Sequence, residues 1–396
     1  MKTHVSFLPE EKKAVFSLAS IYGLRMLGLF LIMPVIAIDF NADASYENAL
    51  YVGLVIGAYG LTQALFQIPF GIASDFFGRK PVILLGLFFF ATGSFMAAFS
   101  TTNEQLIFSR LLQGVGAISA AVTALLSDLT RDIVRTRAMA FIGIAIAISF
   151  IFSLIFSPIL YGIFGLKGLF FIIGILALIA FFLVLKIKKP IKKSKTNLIS
   201  KKNYIDIIFD SQLLILNFGV FFLMFTQAAM FLLIPNVIKF HGFVVNEHWK
   251  VYLPVLIFSF IGMIWPIRAS ERTGRQKIYF VFSIFLLIIS VLFVSIAQFS
   301  FFNLSFGLFI YFLGFNLLEA FLPSWVSKVA KMDSKGLALG LYNTFQALGI
   351  FAGGLSGGFL YGNYGVDGII TGCLISLTLW IFISLKLKEL PPILNK

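Results

Sequence analysis

The chain is a succession of long apolar stretches separated by short charged turns, and this restricts its fold more than any other feature. A helix needs about 20 consecutive apolar residues to cross a hydrocarbon core. Twelve stretches qualify, at roughly 14–38, 49–72, 81–100, 104–128, 137–162, 168–186, 211–235, 249–269, 278–298, 303–326, 337–361 and 368–386. In lipid a lone segment satisfies its own backbone only as a helix. The expected fold class is therefore all-α integral membrane with twelve transmembrane helices. With 59% hydrophobic and 12% charged residues, no soluble core could take up the apolar surface, since soluble domains carry about 25% charged residues.

The net charge of +14 raises nucleic acid as a partner, but the placement of the charges excludes it. With the N-terminus inside, the inner segments hold 26 of the Lys and Arg residues and the outer loops hold Lys167, Lys239 and Lys250, with Arg25 and Arg110 inside spans. Positive charge marks the cytoplasmic side, so both termini are expected there. The segment 187–210 carries seven of the 22 lysines and reads as a solvated linker drawn to anionic lipid heads. It divides the chain into a six-helix bundle at 1–186 and a second at 211–396. The single Cys373 allows no disulfide within the chain and no cysteine zinc site. The polar segment Met1 to Lys13, followed by a long span, does not read as a signal peptide.

The two bundles repeat each other. Leu160-Tyr-Gly-Ile-Phe-Gly165 returns as Leu360-Tyr-Gly-Asn-Tyr-Gly365, and Ala138/Ala338 and Gly168/Gly368 keep the same offset of 200. These pairs are expected at matching places in spans five and eleven. Glu271, Gly274 and Arg275 likewise stand where Asp75, Gly78 and Arg79 stand, at an offset of 196. Paired six-span repeats characterise secondary transporters, with substrate near the midplane between them.

The turn Gly71-Ile-Ala-Ser-Asp75-Phe-Phe-Gly78-Arg79-Lys80 resembles motif A of the major facilitator superfamily, and Arg110-Leu-Leu-Gln113-Gly114-Val-Gly116 resembles its motif B. The strings Tyr59-Gly-Leu-Thr-Gln63-Ala-Leu-Phe-Gln67-Ile-Pro69, Ser127-Asp128-Leu-Thr-Arg131 and Glu247-His-Trp-Lys-Val-Tyr252 are similar to the YajR-type subgroup of its drug:proton antiporters. The resemblance spans essentially the whole chain. It implies two bundles rocking about a central cavity lined by spans one, four, seven and ten. It also implies motif A as a latch of the outward-open state, with Asp75 near the start of a helix from the other half. Two features depart from the pattern. Ser157-Pro158 replaces the Gly-Pro pair usual in span five of antiporters, which weakens the case for antiport over uptake. The soluble C-terminal domain of the subgroup is also expected to be absent or removed, because the chain stops about ten residues past its last span.

Three ionisable residues lie deep in spans: Arg25, Arg110 and Glu319. A charge at membrane depth costs about 2.5–3.5 kcal/mol on insertion scales, so it is seldom kept without a partner or a role. Glu319 is the candidate proton-coupling group, because a carboxyl in an apolar cavity can exchange protons near neutral pH. Arg110 and Arg25 are candidates to hold a counter-anion or tune that carboxyl; a structural ion pair or hydrogen bond between helices is the other reading. Gln113, Asn217, Gln227 and Asn316 are polar neighbours on the spans that line the cavity by resemblance. Tyr59, Gln63 and Gln67 share one helix face, either along the pathway or bonded to neighbouring helices. Asp39, at the outer end of span one, is a candidate proton-entry group.

Gly71, Asp75, Gly78, Arg79, Lys80 and Asp128 form a separate set, a conformational switch in which two acids flank one arginine. The run Gly353-Gly354-Leu-Ser-Gly357-Gly358 reads as a seam for close helix contact. His248 beside Trp249 reads as an interface anchor. The scattered histidines suit no metal site, no nucleophile–base set stands at either face, and neither enzymatic activity nor a cofactor is expected.

The combined expectation is a monomeric secondary transporter of the cell inner (plasma) membrane that exports a small hydrophobic or amphipathic solute, in the manner of multidrug efflux, in exchange for protons. Its partners would be the solute, protons and membrane lipids. A proton-coupled uptake symporter, or a non-transporting sensor on the same scaffold, are the alternatives.

Overall fold

The structure is a computed structural model that describes residues 6–41, 45–187, 207–330 and 335–389. The basic linker expected at 187–210 lies, apart from its ends, outside the described residues. The helices are α1 (Pro9–Phe30), α2 (Met33–Asp39), α3 (Tyr46–Phe76), α4 (Arg79–Ala98), α5 (Asn103–Val115), α6 (Ser119–Asp128), α7 (Asp132–Leu185), α8 (Ser211–Phe240), α9 (Trp249–Thr273), α10 (Gln276–Ser295), α11 (Phe301–Val329) and α12 (Lys335–Ser384). Taking α1 with α2 and α5 with α6, ten of these helical segments are long and apolar enough to cross a membrane, among the described residues. The chain is a multi-pass, all-helical membrane protein.

Two of the ten are double length. α7 has 54 residues and α12 has 50, and each contains one residue outside helical geometry, Gly165 (φ 64°) and Gly365 (φ 61°). That left-handed region favours glycine. These are the last residues of the repeated hexapeptides, so the repeat falls at two bends rather than inside spans five and eleven. The partner glycines complete each turn. A Cβ on Gly168 would lie 2.3 Å from the Phe164 Cβ, and one on Gly368 would lie 2.4 Å from the Leu360 carbonyl oxygen. The second sequence pair also holds, with Gly78 at φ 96° and Gly274 at φ 70°. Side chains extend the symmetry further. Lys80 Nζ donates to the Leu185 and Ile187 carbonyls at 2.7 and 2.9 Å, and Lys277 Nζ donates to the Leu385 carbonyl at 2.7 Å. Each lysine closes the open end of its bundle's last helix, where carbonyls lack intrahelical partners.

The first crossing is broken between Phe30 and Met33, where Pro34 supplies no N–H. Val35 N donates to the Ile32 carbonyl at 3.2 Å, which leaves the Leu31 carbonyl without its helical partner. Ser157 Oγ, fully buried on α7, donates to that carbonyl at 2.5 Å. The serine that departs from the antiporter Gly-Pro pattern therefore seals a helix break. Ser157→Ala would strand the carbonyl in a dry environment and should cost about 1–3 kcal/mol. The expected readout is a lower melting temperature in detergent, restored by Ser157→Thr.

α12 is wedged between α3 and α8, and its glycines explain how. A Cβ on Gly353 would lie 2.3 Å from the Phe225 carbonyl oxygen of α8, whereas one on Gly354 would lie 2.8 Å from the Gly53 carbonyl oxygen of α3. The α3 contacts run from Tyr46 against Gly362 to Gly60 against Ala347. Beyond them toward the basic turns, Gly336 and Gly340 of α12 and Gly143 of α7 face open space. Phe150 of α7 stacks on Phe315 of α11 with ring centroids 5.7 Å apart. The glycine seam between α3 and α12 thus lies toward the face opposite the basic turns.

Candidate functional site

Close approach of α5 to α3 and α4 builds the centre of the first half. A Cβ on Gly114 would lie 2.1 Å from Thr62 Oγ1, and one on Gly93 would lie 2.7 Å from Gln113 N. Side chains at these points would push the helices apart and pull Arg110 and Gln113 out of place. Arg110 Nε donates to the Val55 carbonyl at 3.1 Å, and Nη1 donates to Gln113 Oε1 at 2.6 Å. Gln113 Nε2 passes the chain on to Ser94 Oγ at 2.7 Å. The Arg110 guanidinium lies over the Tyr59 ring, 4.8 Å from its centroid.

The Tyr59 hydroxyl accepts from Arg25 Nη2 at 2.8 Å, and Arg25 Nη1 reaches Ser119 Oγ at 3.5 Å. Tyr59 therefore joins both buried arginines, one to its face and one to its hydroxyl. No carboxylate pairs with either arginine among the described residues. Arg110→Lys would keep the charge but lose the fork and the ring contact. It should lower solute transport about tenfold or more and stability by about 1–3 kcal/mol, read by counterflow and by thermal melting.

Glu319 stands apart from the arginines. It lies on α11, its Oε1 is buried, and no hydrogen-bond partner among the described residues reaches that atom. Its electrostatic neighbours are Tyr22 of α1 and Tyr342 of α12. Tyr22 is also an electrostatic neighbour of Arg25 and Tyr59. The carboxyl and the arginine cluster thus share Tyr22, of the other half, as an electrostatic neighbour, and the direct ion pair held open by the sequence is absent among the described residues. Tyr22 and Tyr342 were not singled out from the sequence; the available signal for Tyr22 was its place one turn before Arg25.

The candidate amides are buried and mostly unpartnered. Asn316 Nδ2 donates to Ser259 Oγ at 3.3 Å. Gln63 Oε1, Asn217 Oδ1 and both amide atoms of Gln67 and of Gln227 have no partner among the described residues. Buried polar groups are otherwise almost always bonded, so orphaned amides at membrane depth suit a polar pathway better than helix bonding. Asp39 belongs to neither group: it lies at the end of α2, exposed, with Oδ1 accepting from the Tyr161 hydroxyl at 2.9 Å.

The charged turn forms a compact cluster. Arg79 pairs with Asp75 and approaches Asp128 Oδ2 at 3.4 Å, while its Nη1 donates to Ser74 Oγ at 2.7 Å. Ser74 Oγ in turn donates to the Gly71 carbonyl at 2.7 Å. All of these partners belong to the first half. Asp75 sits 15 residues beyond Gly60, the last seam glycine of α3, a distance of about 22 Å along a helix. Lys80 joins the turn to α7 instead of to the acids.

His248 is a correction. It is completely buried, directly after the short helix Val245–Glu247, which packs against α7. It is not an exposed interface anchor.

A profile described as Major Facilitator Superfamily matches residues 15–354. The chain belongs to the major facilitator superfamily. Its members are transporters, not enzymes. The inner membrane transport protein YajR of Escherichia coli is 38% identical over 389 residues, covering 97% of this chain and 85% of that protein. Multidrug resistance protein 1 of Bacillus subtilis is 26% identical, covering 85% and 87%. Among solved structures, a bacterial homologue of the human lysosomal transporter Spinster superposes with a TM-score of 0.73 at 14% identity, covering 96% of both chains, a likeness of fold. Within the superfamily frame, the Arg110 to Gly116 run is the glycine-cradled bond network around Tyr59, and the Gly71 to Lys80 turn is the Arg79 cluster.

Proposed function

We propose that this superfamily member is a monomeric proton-coupled exporter of a small hydrophobic or amphipathic solute, working by alternating access in the inner membrane. The bends at Gly165 and Gly365 turn α7 and α12 into two crossings each, for twelve in all. The basic face is then cytoplasmic, with both termini on it. Bundles 1–186 and 211–396 rock about the seam between α3 and α12, and the Arg79 cluster switches between the two states. The likeness to YajR, an inner membrane transport protein, supports this membrane, and the likeness to multidrug resistance protein 1 supports this solute class.

The observation that carries the reading is Glu319. A carboxyl oxygen buried at membrane depth without a partner is costly unless it takes up a proton. Both arginines have other partners, so neither fixes it in the charged form. Tyr22 places this carboxyl at the junction of the halves, where rocking would change its access to water. The orphaned amides Gln63, Gln67, Asn217 and Gln227 mark the route.

The test is proton movement in proteoliposomes loaded with a pH dye and offered candidate solutes under an inward proton gradient. Proton uptake that requires solute, with solute moving the opposite way, is the expected result. Protons and solute moving together would replace export with uptake symport. Solute movement indifferent to the gradient would remove proton coupling.

A further inference from the structure

A groove of about 370 Å³ opens at the face opposite the basic turns, away from the arginine cluster. It lies between the end of α2, the turn from α4 to α5 and the bend of α7, and three chemistries meet in it. Asp39 is braced by the Tyr161 hydroxyl on Oδ1, which leaves Oδ2 for an incoming donor. Lys167 is exposed and has no partner among the described residues. The floor is Ser100–Asn103, where Thr102 Oγ1 accepts from Gln105 N at 3.3 Å and starts α5. The N-terminus of that 13-residue helix favours an anion. Phe164 in the lining is exposed, and Phe99 and Phe171, next in sequence to the lining residues Ser100 and Phe170, are exposed with rings 6.4 Å apart.

We propose that this groove holds the headgroup of a zwitterionic phospholipid bearing a primary amine. Its phosphate lies between Lys167 and the α5 N-terminus, and its ammonium lies on Asp39. A simple anion would leave Asp39 unmet and a simple cation would leave Lys167 unmet, whereas one occupant with both charges answers both. The groove sits where helices leave the hydrocarbon, and these exposed rings give acyl chains a surface to lie against. A primary ammonium can donate hydrogen bonds to Asp39 Oδ2, which a quaternary one cannot. Asp39, expected as a proton-entry group, becomes a lipid ligand. The inference does not depend on the direction of transport or on Glu319.

Native mass spectrometry of the full chain with equal amounts of phosphatidylethanolamine, phosphatidylcholine and phosphatidylglycerol tests it. The wild type should retain phosphatidylethanolamine about tenfold over the other two. Asp39→Asn and Lys167→Gln should each erase that preference, while Lys239→Gln, an exposed lysine at the corresponding end of α8, should keep it. Melting temperature in phosphatidylcholine controls for folding, and Lys167→Gln, at an exposed site, keeps the test decisive if Asp39→Asn unfolds. Equal retention of the three lipids, or an unchanged preference in both groove variants, would overturn the proposal. Displacement of the lipid by an equal concentration of soluble phosphoethanolamine would overturn it in favour of a free solute.

Discussion

Glu319→Gln should abolish solute-driven proton movement and leave the protein folded. The amide matches the carboxyl in shape and cannot exchange a proton, so coupled flux should fall to the level of protein-free liposomes. Stability should change by no more than about 1 kcal/mol, because the substitution replaces one buried polar group with another and breaks no hydrogen bond at Oε1. The informative companion measurement is counterflow, in which labelled solute exchanges for unlabelled solute without net proton movement. Counterflow should persist in the variant, which separates loss of coupling from loss of binding. Wild-type proton flux in Glu319→Gln would clear Glu319 as the coupling group.

Gly53→Ala should hold the protein open on the face toward which the seam between α3 and α12 lies. The added methyl would lie 2.3 Å from the Gly354 carbonyl oxygen and 2.9 Å from the Gly358 Cα. Both obstacles are backbone, so no rotamer change relieves them, and the helices must separate. Distances between spin labels on α3 and α12 near that face should lengthen by several ångströms, about the scale of one side-chain layer between packed helices. Transport should fall about a hundredfold, the penalty when one of two alternating states is disfavoured by about 3 kcal/mol. Gly353→Ala supplies the contrast. Its methyl would meet the Phe225 carbonyl oxygen at 2.3 Å, a contact within the second half. It should lower the melting temperature while leaving the distance between α3 and α12 as it was. Unchanged label distances in Gly53→Ala would mean that the seam is not the closing surface.

The parts of this molecule that follow from composition and spacing were legible in the sequence, and the parts that follow from two helices meeting were not. The crossings could be read because lipid forces each apolar stretch into a helix. The repeat of Gly165 and Gly365 could be read because a left-handed turn admits few residues, although its place at a bend emerged only with the backbone. Arg25 and Arg110 stood out because charge is rare at membrane depth. Tyr59 was legible only as sharing a helix face with Gln63 and Gln67; that it joins both arginines was not, since a tyrosine among 12 carries no mark of which cation it will meet. His248 misled because its neighbour Trp249 suggests an interface, and only the packing of Val245–Glu247 buries it. Ser157 looked like a weakened antiporter motif until the unpaired Leu31 carbonyl beside it came into view.

Tyr59 and Gly60 are consecutive residues of α3. The first holds both guanidiniums and the second is the last glycine of α3 packed against α12. Charge centre and hinge therefore share one helical turn, and a rigid rod pivoting there behaves as a short lever with its load at the fulcrum. Large sweeps at the ends of α3 would displace the tyrosine hydroxyl only slightly. The arginines would keep their bonds through the whole stroke, and the work of opening and closing would fall on groups far from the pivot.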